Sequence, residues 1–438
     1  MRNKKGERRI YYLCGMNWQK IFLFLFSLIG LSTANAQIYS TRSWKENIKS
    51  VQIANYQRSP RYPVVDLESG EQITLTFDDL NSNATTYSYR VVHCSADWKK
   101  STIQESEYMD GFFINYIDEV STSSNTYFTY DHYRLTLPND NWKFKISGNY
   151  AIEVFQDNDQ ERPVVTACFS VVDPKVNIHA QATARTNISY QKDFQQVNID
   201  IDYSQYDIKD PLNEIWVEVT QNGRKDNRVL LSMADYIERQ TLRYLNNPKL
   251  IFEAGNQYRV FDISSERILS DRIESIDYFK PYYHVTLFAD EIRNNKQYDY
   301  IQDVHGRYMV NVQFSDYPDE EADYFFTHFS LPAEQPFWDS DVYIIGELTG
   351  NQLTPNGRMQ YNAQKRQYEK TLLLKQGGYN YLYLVVPKQQ AKGSLKPIEG
   401  NFWQTQNEYE IKVYHKPFGS KCDKLIGFTS ITAGSSAY

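Results

Sequence analysis

Period-two alternation of apolar and polar residues constrains this chain more than any other feature. Ile73-Thr74-Leu75-Thr76-Phe77 alternates, and so do residues 87–93, 150–155, 197–203 and 215–220. A strand sends successive side chains to opposite faces, so such runs bury one face and wet the other. Turn-forming stretches separate them: Glu68-Ser69-Gly70-Glu71, Gln156-Asp157-Asn158-Asp159 and Asn222-Gly223. The 36 Tyr and 23 Phe supply side chains that fit a pleated, half-buried surface. The expected fold class is all-β, with tandem immunoglobulin-like or early-set β-sandwich domains and few short helices. Helical patterning is confined to residues 233–245 and one turn at 289–293.

The first 36 residues read differently. Arg2, Lys4, Lys5, Arg8, Arg9 and Lys20 precede an 11-residue apolar run at 21–31, followed by Ala34-Asn35-Ala36. A basic head, a short apolar middle and small residues before a cut site make a secretory signal. A membrane-spanning helix needs about 20 residues, so the run is expected to be cleaved. Cleavage is expected between Ala36 and Gln37, and Met16 offers a second start beside Met1. No Cys stands at the cut site, which argues against lipid anchoring there.

Removing residues 1–36 leaves 41 Lys and Arg against 53 Asp and Glu, a net charge of −12. An acidic exported chain suits neither nucleic acid nor an anionic membrane surface. The 402 remaining residues exceed one core. Prolines after Val171-Val172-Asp173 and in Leu331-Pro332 suggest boundaries, because proline cannot continue a central strand. The expected division is a signal at 1–36, an N-terminal sandwich at 37–173, a middle sandwich at 174–332 and a C-terminal early-set domain at 333–438. Cys94, Cys168 and Cys422 fit no metal spacing. Cys94 and Cys168 either pair across a sandwich or stand as two buried thiols, the second being favoured.

Residues 342–350 and 368–386 are ordered like the early-set modules that bind glycogen, yet the loop at 347–359 has no Trp. Trp98, Trp142, Trp216, Trp338 and Trp403 are expected mostly in cores. Ser147-Gly148-Asn149-Tyr150 has the look of a tyrosine corner, in which a Tyr hydroxyl bonds back to nearby backbone.

No catalytic pattern emerges. His93, His132, His179, His284, His305, His328 and His415 share no short spacing, and neither a zinc-type His pair nor a nucleophile elbow is present. His132, beside Asp131, reads as a hydrogen-bonded structural residue. The carboxylates of residues 316–323 read as a solvated hairpin loop, since a calcium loop would need glycine. No catalytic, cofactor or metal residues are expected, and no binding residues can be assigned.

Several blocks resemble the plug protein family of the type IX secretion system of Bacteroidota. They are Tyr108-Met109-Asp110-Gly111-Phe112, Ser121 with Asn125-Thr126, Tyr130-Asp131-His132-Tyr133, Leu137-Pro138-Asn139-Asp140 and Ser147-Gly148-Asn149-Tyr150. Residues 254–262, Asp303-Val304-His305-Gly306-Arg307-Tyr308, Glu399-Gly400-Asn401-Phe402-Trp403, Asn407-Glu408-Tyr409 and residues 423–427 continue the series. The resemblance implies a non-enzymatic periplasmic protein, peripheral to the outer membrane. Its implied partner is the giant SprA-type outer-membrane β-barrel translocon, whose periplasmic mouth it closes when no substrate is in transit. No cofactor, nucleic acid or small-molecule substrate is implied. A carbohydrate-binding accessory role, through the glycogen-module-like C-terminal part, is the alternative. An exported glycosidase or peptidase with two carboxylates in a cleft is a third reading.

Overall fold

The structure, a computed structural model, describes residues 38–157, 159–188 and 192–433. The expected signal and its expected Ala36–Gln37 cut therefore lie outside the described residues. The fold is all-β. Helix among the described residues is limited to short turns such as Glu105–Tyr108, Pro211–Glu214, Pro318–Glu321 and Lys396–Glu399.

Strands up to Val172 build the first sandwich. One sheet centres on Gly148–Gln156, flanked by Tyr87–Cys94 and Val165–Val172. The facing sheet runs Ile48–Ala54, Ile73–Asp79, Asp131–Leu137, Glu119–Thr122. Between them pack Leu75, Phe77, Tyr87, Tyr133, Ile152 and Phe169. The alternating pattern of Ile73–Asp79 is masked in burial, because both faces of that strand are covered. The same holds for Gly148–Gln156, whose outer face carries a separate cluster of Val92, Cys94, Ala151, Cys168, Tyr39 and Trp98.

Cys94 and Cys168 sit on strands that flank Gly148–Gln156 on opposite sides, opposite Asn149 and Ala151. Two strand spacings of about 4.8 Å separate them, beyond the reach of a disulfide. Both are free buried thiols, as is Cys422.

No strand pairing among the described residues crosses residue 173. The boundary expected at 332 is different. Tyr324–Pro332 pairs along its whole length with Gln367–Lys375, so Pro332 ends a strand and not a domain. Arg259–Asp262 and Tyr308–Val310 likewise pair with Gly377–Pro387. The third sandwich thus spans 259–387, with Phe261, Phe329, Leu372 and Tyr381 in its core. It is inserted into the second sandwich. That one uses Asn177–Thr183, Phe194–Asp202, Ile215–Gln221 and their neighbours, and is completed by Glu408–His415 and Lys424–Thr432. Its core joins Ile199 and Leu242 to Val217, Ile411 and Ile426.

The helix expected at 233–245 is a hairpin of Tyr236–Glu238 and Thr241–Tyr244, turning at Arg239, where φ is 55°. Its apolar residues satisfy a helical spacing by coincidence, while pairing with Phe194–Asp202 buries Leu242 and Tyr244. The turn expected at 289–293 is irregular instead.

Tyr150 donates from its hydroxyl to the Ile146 carbonyl at 2.6 Å. Tyr379 makes the same i to i−4 bond to Lys375 in the third sandwich. Each has glycine two residues before it, Gly148 and Gly377, with φ of 149° and 152°. A Cβ on Gly377 would lie 2.1 Å from the Met309 carbonyl oxygen, so only glycine fits.

The nesting makes a prediction about fragments. Residues 333–438 alone lack partners for strands of three sheets, and we expect far-UV circular dichroism to show no cooperative unfolding. A cooperative melt of that fragment would contradict the topology.

Candidate functional site

Among the described residues, no group of three or more His, Cys, Asp or Glu is arranged to hold a metal. The polar side chains with the most elaborate surroundings lie instead at the seams between sandwiches.

The seam of the first and third sandwiches is built around Asp78, fully buried at the end of strand Ile73–Asp79. Its carboxylate meets Lys375 Nζ at 2.7 Å and accepts from the Tyr324 hydroxyl at 2.6 Å, both from the third sandwich. His132 Nδ1 lies 2.6 Å from the other oxygen. Lys375 also donates to the Asp319 carbonyl at 2.6 Å and lies over the Tyr130 ring. Burial pushes the Asp78 carboxyl up, but Lys375 and His132 outweigh it and hold the group below the usual carboxylate range. His132 is therefore a structural residue of this seam.

The acidic stretch at 316–323 is not a solvated loop. Asp319 pairs with Arg134 at 2.7 Å, Glu320 accepts from Ser121 at 3.0 Å and Glu321 from Asn125 at 2.7 Å. Asp323 accepts the Tyr127 N–H at 2.7 Å. These carboxylates latch the third sandwich onto residues 119–134 of the first.

Glu408 joins all three bodies. It stands in the second sandwich, accepts from the Tyr62 hydroxyl of the first at 2.7 Å and pairs with Arg307 of the third. Lys412 of the second donates to Ser170 of the first at 3.0 Å, and Tyr414 donates to Asn149.

Two chain passages join the second and third sandwiches, and they bond to each other. Gly255 N–H donates to Asn401 at 2.9 Å, Phe402 N–H to the Gly255 carbonyl, and Asn256 to the Glu399 carbonyl. Glu399 is fully buried and paired with Arg259 and Arg293. Asp290 pairs with Arg259 and Arg272 and accepts from Tyr381 and Tyr383. Asp290 and Glu399 share a guanidinium, but every approach is filled by cations and tyrosines. That closed cluster has no cleft for a substrate, so it gives no support to a glycosidase reading.

Of the tryptophans expected in cores, Trp142 and Trp98 are buried, and Trp216 and Trp403 half-buried. Trp338 is 73% exposed. It lines an open groove of about 610 Å³ with Phe337, Asp341, Arg358, Tyr361 and Lys388.

Comparison with known proteins gives these seams a family. Residues 48–173 match the family model described as type 9 secretion system plug protein 1st domain. A crystal structure of a hypothetical protein from Parabacteroides merdae is 41% identical. It covers 90% of this chain and 100% of its own, with a TM-score of 0.89. No curated protein matches. Residues 48–173 are thus a plug-protein first domain of the type IX secretion system. The plug-domain match falls on the first sandwich, and the family ties the protein to type IX secretion. The sequence blocks of this plug-domain chain have structural work: residues 254–262 and 399–403 meet at the passages, and Arg307, Glu408, His132 and Asp423 lie at seams. Asp78, Lys375 and Tyr324 escaped sequence reasoning. Their one signal was a lysine closing the apolar run Leu372-Leu373-Leu374.

Two predictions follow from the first–third seam. Lys375→Met leaves Asp78 buried without its cation, and should cost about 3–5 kcal/mol in urea unfolding. Adding Asp78→Leu should recover part of it, because the orphaned charge is gone while Tyr324 and His132 lose their acceptor. The stabilising effect of Asp78 is present above the usual carboxylate range and is lost as pH falls through its depressed folded value.

Asp323 has the opposite sign. Burial, with Glu266 adding to it, raises its carboxyl from 3.8 to about 6 against the Tyr127 and Phe128 N–H groups. Its favourable contribution is full below 3.8 and lost as pH rises through about 6. Asp323→Asn should therefore raise the melting temperature at pH 7.5 and leave it nearly unchanged at pH 4.

Proposed function

We propose that this protein is a non-enzymatic periplasmic plug of the type IX secretion system. In this reading it binds the giant outer-membrane β-barrel translocon and closes its periplasmic opening when no substrate is in transit. It is held at the outer membrane through that partner. No helix among the described residues is long and apolar enough to cross a membrane.

The observation that carries the reading is the interlocking of three sandwiches by buried ion pairs, with the plug-domain match on the first. Steric closure needs bulk that does not deform, and a body cross-braced at every seam supplies it. Closure must also be reversible. A plug can be released only if it binds closed and open barrel states with different free energies. The net charge of −12 after signal removal favours a basic surface on the barrel, which speeds encounter more than it adds affinity.

Affinity capture from detergent-solubilised outer membrane, with bound partners identified by mass, tests the reading. We expect one very large barrel. Absence of that barrel in every state of the secretion system would overturn the proposal.

The exposed Trp338 favours a second reading, in which the groove stacks a sugar ring as an accessory carbohydrate-binding site. Under the plug reading, titration with maltohexaose leaves the tryptophan fluorescence unchanged. A saturable change that Trp338→Ala abolishes would install the second reading.

A further inference from the structure

The first–third seam reaches the surface in an unusual composition. Residues 110–127 and 308–323 contain eight Asp and Glu and no Lys, Arg or His. The bonds of Glu320 to Ser121, Glu321 to Asn125 and Asp323 to Tyr127 hold the two segments side by side. Arg134 reaches in from the neighbouring strand and pairs with both Glu119 and Asp319.

Onto this acidic ground the same segments expose large apolar side chains. Tyr116, Val120 and Tyr127 come from the first sandwich, and Phe314 and Tyr317 from the third. Phe314 is 97% exposed. Single exposed apolar residues are ordinary, but a group of them rimmed by charge marks an interaction surface.

The backbone adds an independent feature. Asn115–Tyr116 is the last strand of one sheet of the first sandwich, and Glu119–Thr122 is the last strand of the other. Two residues link them, so both sheets end at the same place. Edge strands are usually blunted with lysine or proline. These carry Tyr116, Val120 and acids, and no lysine or proline.

We propose that this double edge, with Phe314 and Tyr317, is the surface through which the protein docks on its translocon. The occupant would be a basic, apolar-studded segment of the barrel's periplasmic rim. The inference rests on the plug reading for the identity of that partner. Charge complementarity selects the chemistry: the exposed acids Asp110, Asp118 and Asp316, on segments that carry no cation, favour lysine and arginine, and two copies of the face would repel each other. The exposed aromatics provide the anchors that such a segment can cover. Because the surface is made by two sandwiches, the partner would clamp the seam shut on binding.

The test uses the mature full chain immobilised against solubilised outer membrane containing the translocon, read by biolayer interferometry at two salt concentrations. One variant combines Tyr116→Ser, Val120→Ser, Phe314→Ser and Tyr317→Ser. A second combines Asp118→Lys and Asp316→Lys. Phe418→Ser, at a side chain 100% exposed elsewhere, is the control. Thermal melts verify that each retains the wild-type fold.

We expect the aromatic variant to weaken binding at least tenfold. The charge variant should weaken it and flatten its salt dependence, with the control unchanged. If the wild type binds the barrel and both variants bind within twofold of it, the surface is wrong and the plug reading stands. Equal loss in the control also overturns the surface. If the wild type binds no barrel, the plug reading fails and this inference with it. Concentration-dependent dimerisation abolished by the aromatic variant would reassign the face to a second copy of the chain.

Discussion

Asp78 and Lys375 are 297 residues apart in sequence and 2.7 Å apart in space, with essentially no exposure to water. Taking two charges out of water costs several kcal/mol each, and their attraction repays it only when the remaining donors and acceptors are also satisfied. Here they are. Both oxygens of Asp78 are engaged, by His132 on one side and by Tyr324 and Lys375 on the other. Lys375 spends its other interactions on the Asp319 carbonyl and the Tyr130 ring. A hydrophobic seam could slide by a residue at small cost. A saturated ion pair has one geometry, and it fixes how the first and third sandwiches meet.

The other seams repeat the arrangement with different partners. Glu408 lies between Tyr62 and Arg307, and Lys412 lies between Glu218 and Ser170. Apolar contacts accompany them, notably Tyr62, Val64, Val172, Tyr414 and Leu425 where the first and second sandwiches touch. The hydrophobic part supplies non-directional attraction, and the buried ions supply orientation. The division explains why a chain with a marked excess of acid can still hold its cations deep inside.

Strand content and the tyrosine corner were legible in the sequence because both are local. Residues 73–77 and 197–203 announce their strands by alternation, and Gly148-Asn149-Tyr150 its corner by spacing. What was illegible is non-local. Nothing in Leu331-Pro332 tells whether a proline ends a strand or a domain; the answer lies in Gln367–Lys375, which pairs with it. The acids at 316–323 read as solvated because their partners, Arg134, Ser121 and Asn125, are nearly 200 residues away. Residues 233–245 misled because a short apolar set can satisfy two periods, and only pairing with Phe194–Asp202 decides between them. Trp338 misled in the opposite sense, being apolar yet outside every core.

The nested order of the sandwiches has a consequence for how the chain comes to be folded. Synthesis proceeds from the N-terminus, so the first sandwich has all its strands early and the inserted third sandwich completes next. The second sandwich opens at Asn177–Thr183 but waits for Glu408–His415 and Lys424–Thr432, the last strands among the described residues. Until they arrive, the apolar faces of Phe194–Asp202 and Ile215–Gln221 lack half of their cover. Exposed strand faces of that kind recruit chaperones and proteases. A chain cut short between residues 399 and 408 would keep two good sandwiches and one open sheet, so the second sandwich depends on strands that the chain supplies only after the third is complete.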